Sequence, residues 1–598
     1  MSRANKNSPK KKKKLKKGRI QRDPSVALAL YRLGFNPKDA NKVFKVALEV
    51  FSLTANPDAA ILAFQASINM PDPSVAANAF AQIAALAPSN SDIQNDFGAL
   101  LCRSNRFEEA EGVLLRALNF APGDGQVLFN MAQALMGQNR FSDAEAVYRK
   151  SIEYEFLTPM VFAGLGDALR EQGKITDAIE YFKKAYHLDR SNSNFRESYE
   201  KALWDSGTAF PELERIYVAD LVNDPEKFSS AMQLACVYAA TERLSRAWSI
   251  VDQWLPKQEA LKTEDQAQLR EILSELQCYE GDFKHAMHNY HWRLKRWKRW
   301  NSDLEQPEWG GESLTNKSLL VYAEQGIGDQ IMFMSLLPNL MAMCDRIFVE
   351  CDPRLVSLFR RSFPEVDFFP VENSERIEMG ERKPDFQIAM GSLGCWLWDD
   401  FERGKRAPYL FADEKLASSL KSRYLKGEEM ALIGASWGSP LGKFPGLKSI
   451  QIADLLPLFR VKNTCVVDLQ YGETVQERTE FELRHGVSLV HDDDIDQLVD
   501  IDSFSAQVAA MDVIITVSNT LAHLAGALGV PTIVLLPAAP QWKWSGSDQE
   551  SVWYPSIQLV RRTIDESVED QVATALRAIK CKLQRENCCN NVTSSDEN

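Results

Sequence analysis

Between residues 88 and 188, small and apolar side chains return every 34 positions. Phe107, Phe141 and Ile175 form one column, Ala110, Ala144 and Ala178 a second, and Gly98, Ala132 and Gly166 a third. Leu101, Leu135 and Leu169 add a fourth, Ala117, Ser151 and Ala185 a fifth, and Pro88 and Pro122 share the step. Small residues at fixed places let two helices approach closely, and large ones fill the gaps between pairs. The pattern predicts stacked helix-turn-helix units. The columns weaken from Asn56 to Ala87. From Pro211 to Trp300 helical spacing continues without them, as in Ala231 to Tyr238 and Ala247 to Val251.

After residue 316 the period changes. Short β-branched runs at Ser318–Ala323, Arg346–Cys351, Val366–Val371 and Asp385–Met390 read as buried strands. Between them lie an apolar helix over Asp329–Cys344, interrupted at Pro338, and a helix over Asp352–Phe363 capped by Asp352. A polar helix and loop, Asp413–Glu429, precedes a second set of strands at Ala431–Trp437, Thr464–Tyr471, Val487–Val490, Val513–Val517 and Thr532–Leu536. A last helix, Glu566–Leu583, is placed to cross back over the first set. Strands alternating with helices imply parallel sheets.

The expected organisation is a basic arm (1–24), a helical repeat domain (25–300), a linker (301–316) and two α/β halves (317–412 and 413–585). A polar tail (586–598) follows. The first 22 residues hold eleven Lys/Arg and no acid, which suits a solubilising tail or weak contact with an anionic membrane surface. The chain as a whole carries a net charge of −13, which argues against general nucleic-acid binding. Its ten cysteines lack C-x-x-C spacing, no apolar run reaches the roughly 18–20 residues that span a bilayer, and the N-terminus has no signal-like apolar core. A cytoplasmic location with reduced thiols is the expectation.

Two stretches carry candidate chemistry. In the first, strand Val513–Val517 runs into Ser518-Asn519-Thr520, three candidate N-caps for a short helix closed by Gly529 and Pro531. Free N–H groups at such a helix start make an anion site, with His523 in the first turn. In the second, Gln325-Gly326-Ile327-Gly328-Asp329 sits where the first strand meets the first helix, at the strand end where ligands bind in such sheets. The glycines permit close backbone approach. Asp329 is either a first-turn acid favoured by the helix dipole or a base for a hydroxyl. A dinucleotide fingerprint would need glycine where Ile331 stands, although Glu350 lies where a ribose-binding acid belongs. His285, His288 and His291 fan out without an interleaved acid or thiol, and the basic, Trp-rich end beyond them (Trp292, Trp297, Trp300) suits a domain junction. Asp492-Asp493-Asp494 imitates a metal-binding pair but suits a loop cap; no metal site is expected.

The 34-residue unit with these columns resembles the tetratricopeptide repeat. Glu324-Gln325-Gly326-Ile327-Gly328-Asp329-Gln330, Glu350-Cys351-Asp352-Pro353-Arg354-Leu355 and Arg360-Arg361-Ser362-Phe363-Pro364 are similar to motifs of repeat-fused, heptosyltransferase-like glycosyltransferases. So are Gly434 to Gly438, Leu469 to Gly472, Val517 to Pro531, Trp542-Lys543-Trp544 and Trp553-Tyr554-Pro555. The fusion also resembles bacterial flagellin glycosyltransferases. The resemblance implies an α-solenoid followed by an α/β GT-B fold, two Rossmann-like halves around a cleft.

The resemblance also assigns roles. Asp329 is the base for the acceptor hydroxyl, and Gly328 shapes its loop. Asn519, Thr520, Leu521 and His523 hold the donor phosphate. Lys443 or Lys448 neutralises the leaving phosphate, Gln470 and Tyr471 contact the nucleotide, and Gln330 and Trp437 join the donor site. The donor is a nucleotide sugar, the displacement is inverting, and no cofactor or metal is required. The implied acceptor is a protein held by the repeats, flagellin first, and the implied sugar is nonulosonic (pseudaminic-type). Ser518-Asn519-Thr520 replaces the Asp-Thr-Gly of lipopolysaccharide heptosyltransferases, which weakens ADP-heptose as donor. The alternatives are a lipopolysaccharide transferase and a non-enzymatic scaffold.

Overall fold

The computed structural model describes residues 40–296, 304–372, 375–376, 383–404, 406–439, 448–472, 474–537, 541–547, 549–563 and 565–593. The basic arm, Trp297, Trp300, Lys443 and the last tail residues lie outside them. The chain divides into two compact units, 1–202 and 203–598.

In the first unit, described from Ala40, helices follow one another at short intervals. The columns explain their packing. Phe107, Phe141 and Ile175 each open a helix. A Cβ on Gly98 would meet Leu114 at 2.5 Å, and one on Gly166 would meet the fully buried Phe182 ring at 2.8 Å. The same period sets the caps. Asn90, Asp124 and Thr158 each accept a backbone N–H of the first turn that follows. Asn105, Asn139 and Gly173 turn the chain in the left-handed region at φ 58°, 59° and 74°.

In the second unit, helices from Phe210–Asn223 to α1 (Phe283–Tyr290) and the turn Arg293–Arg296 lead into two sheets. The expected linker is not a free spacer. Pro307 and Trp309 exchange backbone hydrogen bonds with Gln387, and Trp309 is buried. The first sheet holds β1 (Ser318–Tyr322), β2 (Arg346–Cys351), β3 (Asp367–Glu372), β4 (Glu375–Arg376) and β5 (Phe386–Ala389), in the order β4-β3-β2-β1-β5. β4 is an antiparallel edge and the remaining pairs are parallel, with Val321 opposite Val349 and Ile388. The second sheet holds β6 (Ala431–Ala435), β7 (Thr464–Asp468), β8 (Val513–Val517), β9 (Thr532–Leu536) and β10 (Ile557–Arg561), all parallel, in the order β10-β9-β8-β6-β7.

Both sheets reverse their winding beside their first strand, between β1 and β5 and between β6 and β8. Such switch points open crevices at the strands' carboxyl ends. One buried apolar cluster runs from Met287 through Phe333 and Leu521 to Trp553, joining helix, first half and second half. α2 (Ile327–Phe333) follows β1, and α3 (Thr520–Leu528) follows β8.

Three expectations on elements change, and one strand lies where none is expected. The helix read over Asp329–Cys344 is α2, a 3-10 turn and a short helix from Leu337, with Pro338 in its first turn. Val487–Val490 is no strand but a single bridge from Val490 to Val467. β10 went unread. The last helix, α4 (Val568–Thr593), packs on the second sheet, where Gln571 donates to the carbonyls of Leu536 and Val560.

Among the described residues of the repeat unit, Asp96 has a carboxyl moved into the neutral range. Burial, then the neighbouring Asp92, pushes Asp96 from 3.8 up to about 7. Below its unfolded value both states are protonated. Between about 4 and 7 the unfolded chain ionises first, so stability falls as pH rises. Asp96→Asn is therefore expected to match wild type near pH 4 and to unfold at a higher urea concentration at pH 7.5. Equal midpoints at both pH values would contradict this.

Candidate active site

The two halves meet over a cleft of about 310 Å³. Each wall is a strand end turning into a helix. On the first wall, β1 ends in the turn to α2, with Gly326 as N-cap and Asp329 in the first turn. Gly328 lies under the opposite wall: a Cβ there would meet His523 Cδ2 at 3.2 Å and Thr520 Oγ1 at 3.5 Å. On the second wall β8 runs into α3. Of the three candidate caps Asn519 is the one used, its Oδ1 accepting the Ala522 N–H. The first-turn amides of Thr520 and Leu521 have no acceptor within the helix, and Thr520 lines the cleft.

Seven expected site residues line this cleft together: Gly328, Asp329, Lys448, Tyr471, Asn519, Thr520 and His523. Asp329 forms an ion pair across it with Lys543. Lys543 belongs to the short turn Trp542–Trp544, fixed where Trp544 Nε1 donates to Ser518 Oγ (2.8 Å). In the sequence Lys543 stands out only as part of the Trp542-Lys543-Trp544 motif. No local feature marks it, because its partner is 214 residues away. Arg354 also lines the cleft. It is held by both oxygens of Asp352 at 2.8 Å and donates to the Leu498 carbonyl of the other half.

Three residues expected to bind the donor, Gln470, Gln330 and Trp437, do other work. Gln470 Oε1 accepts from Ser436 Oγ (2.9 Å), Trp437 N (3.0 Å) and Gly438 N (2.7 Å), which fixes the loop after β6. Gln330 is likewise consumed, donating to the Gln325 carbonyl and accepting the Asp352 N–H. Trp437 is buried in the second core and donates to Glu477. The Leu521 side chain is fully buried, so only its backbone is available. Lys443 lies outside the described residues.

His523 is placed as expected, but its chemistry differs. It stacks on Trp544 (4.8 Å between centroids, 17°), and its Nδ1 lies 3.0 Å from Tyr554 Oη. Burial, then Lys543, pushes its pKa down to about 3, so the ring is neutral near pH 7 and gives a phosphate no charge. The histidines on and after α1 go to separate partners: His285 to Asp282, His288 to the Lys284 carbonyl, His291 to Ser392. Asp492 accepts from Tyr424 (2.6 Å) and Arg423, and Asp494 from Arg423, so both carboxylates tie their loop to helix Glu414–Leu425.

A second feature was not read from sequence. Glu324, just before the Gly326–Asp329 turn, pairs with Arg293 at 2.5 Å, the two side chains 4% and 5% exposed. Glu324 also accepts the Gly391 N–H, and Arg293 donates to the Tyr290 carbonyl and Ser392. Gln325 donates to Tyr290 Oη (2.6 Å), and the Tyr290 ring rests on Trp542 (5.1 Å). The end of α1 thus grips the turn that carries Asp329 and the turn that carries Lys543.

Fold and site define a class: helical repeats followed by a two-sheet parallel α/β unit whose cleft holds an acid, several cations and a helix N-terminus. The tetratricopeptide-repeat family model matches residues 129–193. Protein FlbA of Caulobacter vibrioides is 28% identical over 295 residues, and the match spans 45% of this chain and about half (48%) of that protein. Among solved structures, ADP-heptose lps heptosyltransferase II of E. coli is 17% identical over 45% of this chain and 99% of its own, at a TM-score of 0.34. YrrB, a TPR protein with an unusual peptide-binding site, is 17% identical over 36% of this chain and 97% of its own, at 0.27. No described helix is long and apolar enough to cross a membrane.

Removing one member of a buried ion pair strands the other charge, at about 3–5 kcal/mol, whereas removing both costs much less. Arg293→Met and Glu324→Leu are each expected to lower unfolding free energy by about that amount, and the double variant to recover most of it. A double-mutant cycle in urea checks this; additive losses would refute it.

Proposed function

We propose that the chain is a glycosyltransferase that moves a sugar from a nucleotide-sugar donor to a hydroxyl of a protein acceptor. The observation that carries this reading is the cleft itself. One carboxylate, Asp329, faces a wall with a helix N-terminus and the cations Lys448 and Lys543. A displacement at an anomeric carbon needs those groups. The acceptor oxygen attacks the anomeric carbon, its proton passes to Asp329, and the bond to the phosphate oxygen breaks. The negative charge then grows on the leaving phosphate, where Lys448, Lys543 and the first-turn amides of α3 meet it. No step calls for a metal or cofactor.

The Asp329–Lys543 pair gives the order of events a physical basis. Lys543 neutralises the base until the donor phosphate competes for it, so donor binding frees Asp329 to accept a proton. The matched motifs support a GT-B transferase. The repeats offer a stacked helical surface of the kind that holds extended protein segments. Flagellin is our first acceptor, a nonulosonic acid our first sugar, and the cytoplasm our location for the reaction.

Asp329→Asn is expected to keep donor affinity and to lose roughly 10²–10⁴-fold in transfer rate, the usual share of a general base. Lys543→Met is expected to weaken donor binding as well as turnover. Both are read by calorimetry and single-turnover transfer, and equal rates for Asp329→Asn and wild type would remove the base. Mass spectrometry of flagellin from a deletion strain tests the acceptor. Unchanged glycan mass with an altered lipopolysaccharide ladder would transfer the reading to lipopolysaccharide.

A further inference from the structure

One side chain outside both sheets touches both turns that meet in the cleft. Tyr290 is the last residue of α1. Its Oη accepts a hydrogen bond from Gln325 Nε2 at 2.6 Å. Gln325 adjoins Gly326, the N-cap of α2, whose first turn carries Asp329. The same Tyr290 ring packs on Trp542, 5.1 Å between centroids, and Trp542 adjoins Lys543. Phe333, the last residue of α2, closes the group: its centroid lies 6.1 Å from that of Tyr290 and 6.5 Å from that of Trp542. Three rings from three elements thus meet, and two of those elements carry the paired Asp329 and Lys543.

The Lys543 turn needs that support. It has three residues, Trp542–Trp544, too few to hold a lysine in place by the turn's own hydrogen bonds. The second half fixes one end: Trp544 Nε1 donates to Ser518 Oγ at 2.8 Å, and Arg561 donates to the Trp544 carbonyl. The other end, Trp542, meets rings that belong to α1 and α2. The stretch beyond the turn leans on α1 as well. Gly546 adopts φ 85°, and a Cβ there would meet Phe283, the first residue of α1, at 2.7 Å. Tyr290 is itself held. The Arg293 guanidinium lies 4.3 Å from its ring centre, donates to its carbonyl at 3.0 Å, and is anchored by Glu324. Lys543 is thus placed from α1 as well as from the half that bears it.

We propose that Tyr290 is a positioning residue for the transfer reaction, setting the Lys543 cation against Asp329 from a helix outside both sheets. Its hydroxyl holds the Asp329 turn through Gln325, and its ring holds the Lys543 turn through Trp542. The two contacts carry different losses. Freeing the Asp329 turn affects proton transfer alone, because Asp329 acts on the acceptor. Freeing the Lys543 turn also weakens the grip on the donor phosphate. A misplacement of about 1 Å at reacting groups costs about 10²-fold in rate. What the pair does rests on the transferase reading; how the pair is held does not.

Two experiments on the full chain separate these claims. The Asp329 and Lys543 side chains are 17% and 20% exposed, so a water-soluble carbodiimide can reach them. It activates the carboxyl, the lysine amine loses a proton and displaces the resulting urea, and an amide joins the two residues. The joined peptides, measured by mass spectrometry, are expected from wild type and severalfold fewer from Tyr290→Leu. Tyr290→Phe, which keeps the ring, is expected to restore most of the yield. Phe348→Leu, a change at a buried position on β2, is expected to leave it as in wild type. No joined peptide in wild type, an undiminished yield in Tyr290→Leu, or an equal fall in Phe348→Leu would overturn the positioning. Calorimetry with a CMP-activated nonulosonic acid and single-turnover transfer to flagellin read the split. Tyr290→Phe is expected to bind the sugar nucleotide as wild type does and to transfer it roughly 10–100-fold more slowly. Tyr290→Leu is expected to bind it severalfold more weakly and to lose at least as much rate. Equal affinities in wild type and Tyr290→Leu, or equal rates in wild type and Tyr290→Phe, would overturn the division between ring and hydroxyl. If wild type neither binds nor transfers that sugar, the donor class of the transferase reading fails and the cross-link still decides the positioning.

Discussion

A guanidinium and a carboxylate almost shut off from water are costly to bury, and Arg293 with Glu324 is such a pair. Their mutual attraction offsets the desolvation only if every remaining donor and acceptor is also met. Here it is. Glu324 takes the Gly391 N–H, and Arg293 serves the Tyr290 carbonyl and the Ser392 hydroxyl, its guanidinium 4.3 Å from the Tyr290 ring centre. Few alternative placements would satisfy so many groups at once. The end of β1, and with it the turn that carries Asp329, has its position fixed by the last helical turns before the sheets. Tyr290 extends the same grip to the Lys543 turn through Trp542. Asp329 and Lys543 therefore face each other with their backbones held from one side.

The helical repeat was legible because its period is long and self-consistent: one misplaced residue would break several columns at once. More was on that period than was read. The caps Asn90, Asp124 and Thr158 and the left-handed turn residues Asn105, Asn139 and Gly173 keep the same step. β8 and β9 matched to the residue, since unbroken β-branched runs bounded by polar turns admit few other structures. β10 escaped because Gln558 interrupts a run of only five residues. Val487–Val490 misled for the converse reason: a plausible run that reaches its neighbour through one bridge and goes no further.

The site was half legible. Loops after strands were the right place to look, since switch points bring carboxyl ends together. Residue type alone, however, does not separate a ligand contact from a brace. Gln470 and Gln330 were polar, at strand ends or helix starts, and near glycine, and both turned out to satisfy backbone N–H groups that the loops leave open. Such groups must be met somewhere, and a long amide is well suited to meet them. Lys543 was the opposite case. Flanked by two tryptophans, it looks locally like part of a packed turn, and only the closure of the two halves gives it a carboxylate partner.

His523 shows how far such bracing can reach into function. Nothing about a histidine in a first helical turn says whether it offers a proton, a charge or a lone pair. Here burial, stacking on Trp544 and the nearby Lys543 leave the ring neutral, so it offers no charge. Closing the two halves completes the cleft by bringing Lys543 to Asp329. Substrate that holds the halves together therefore also sets the chemistry of the surface it binds.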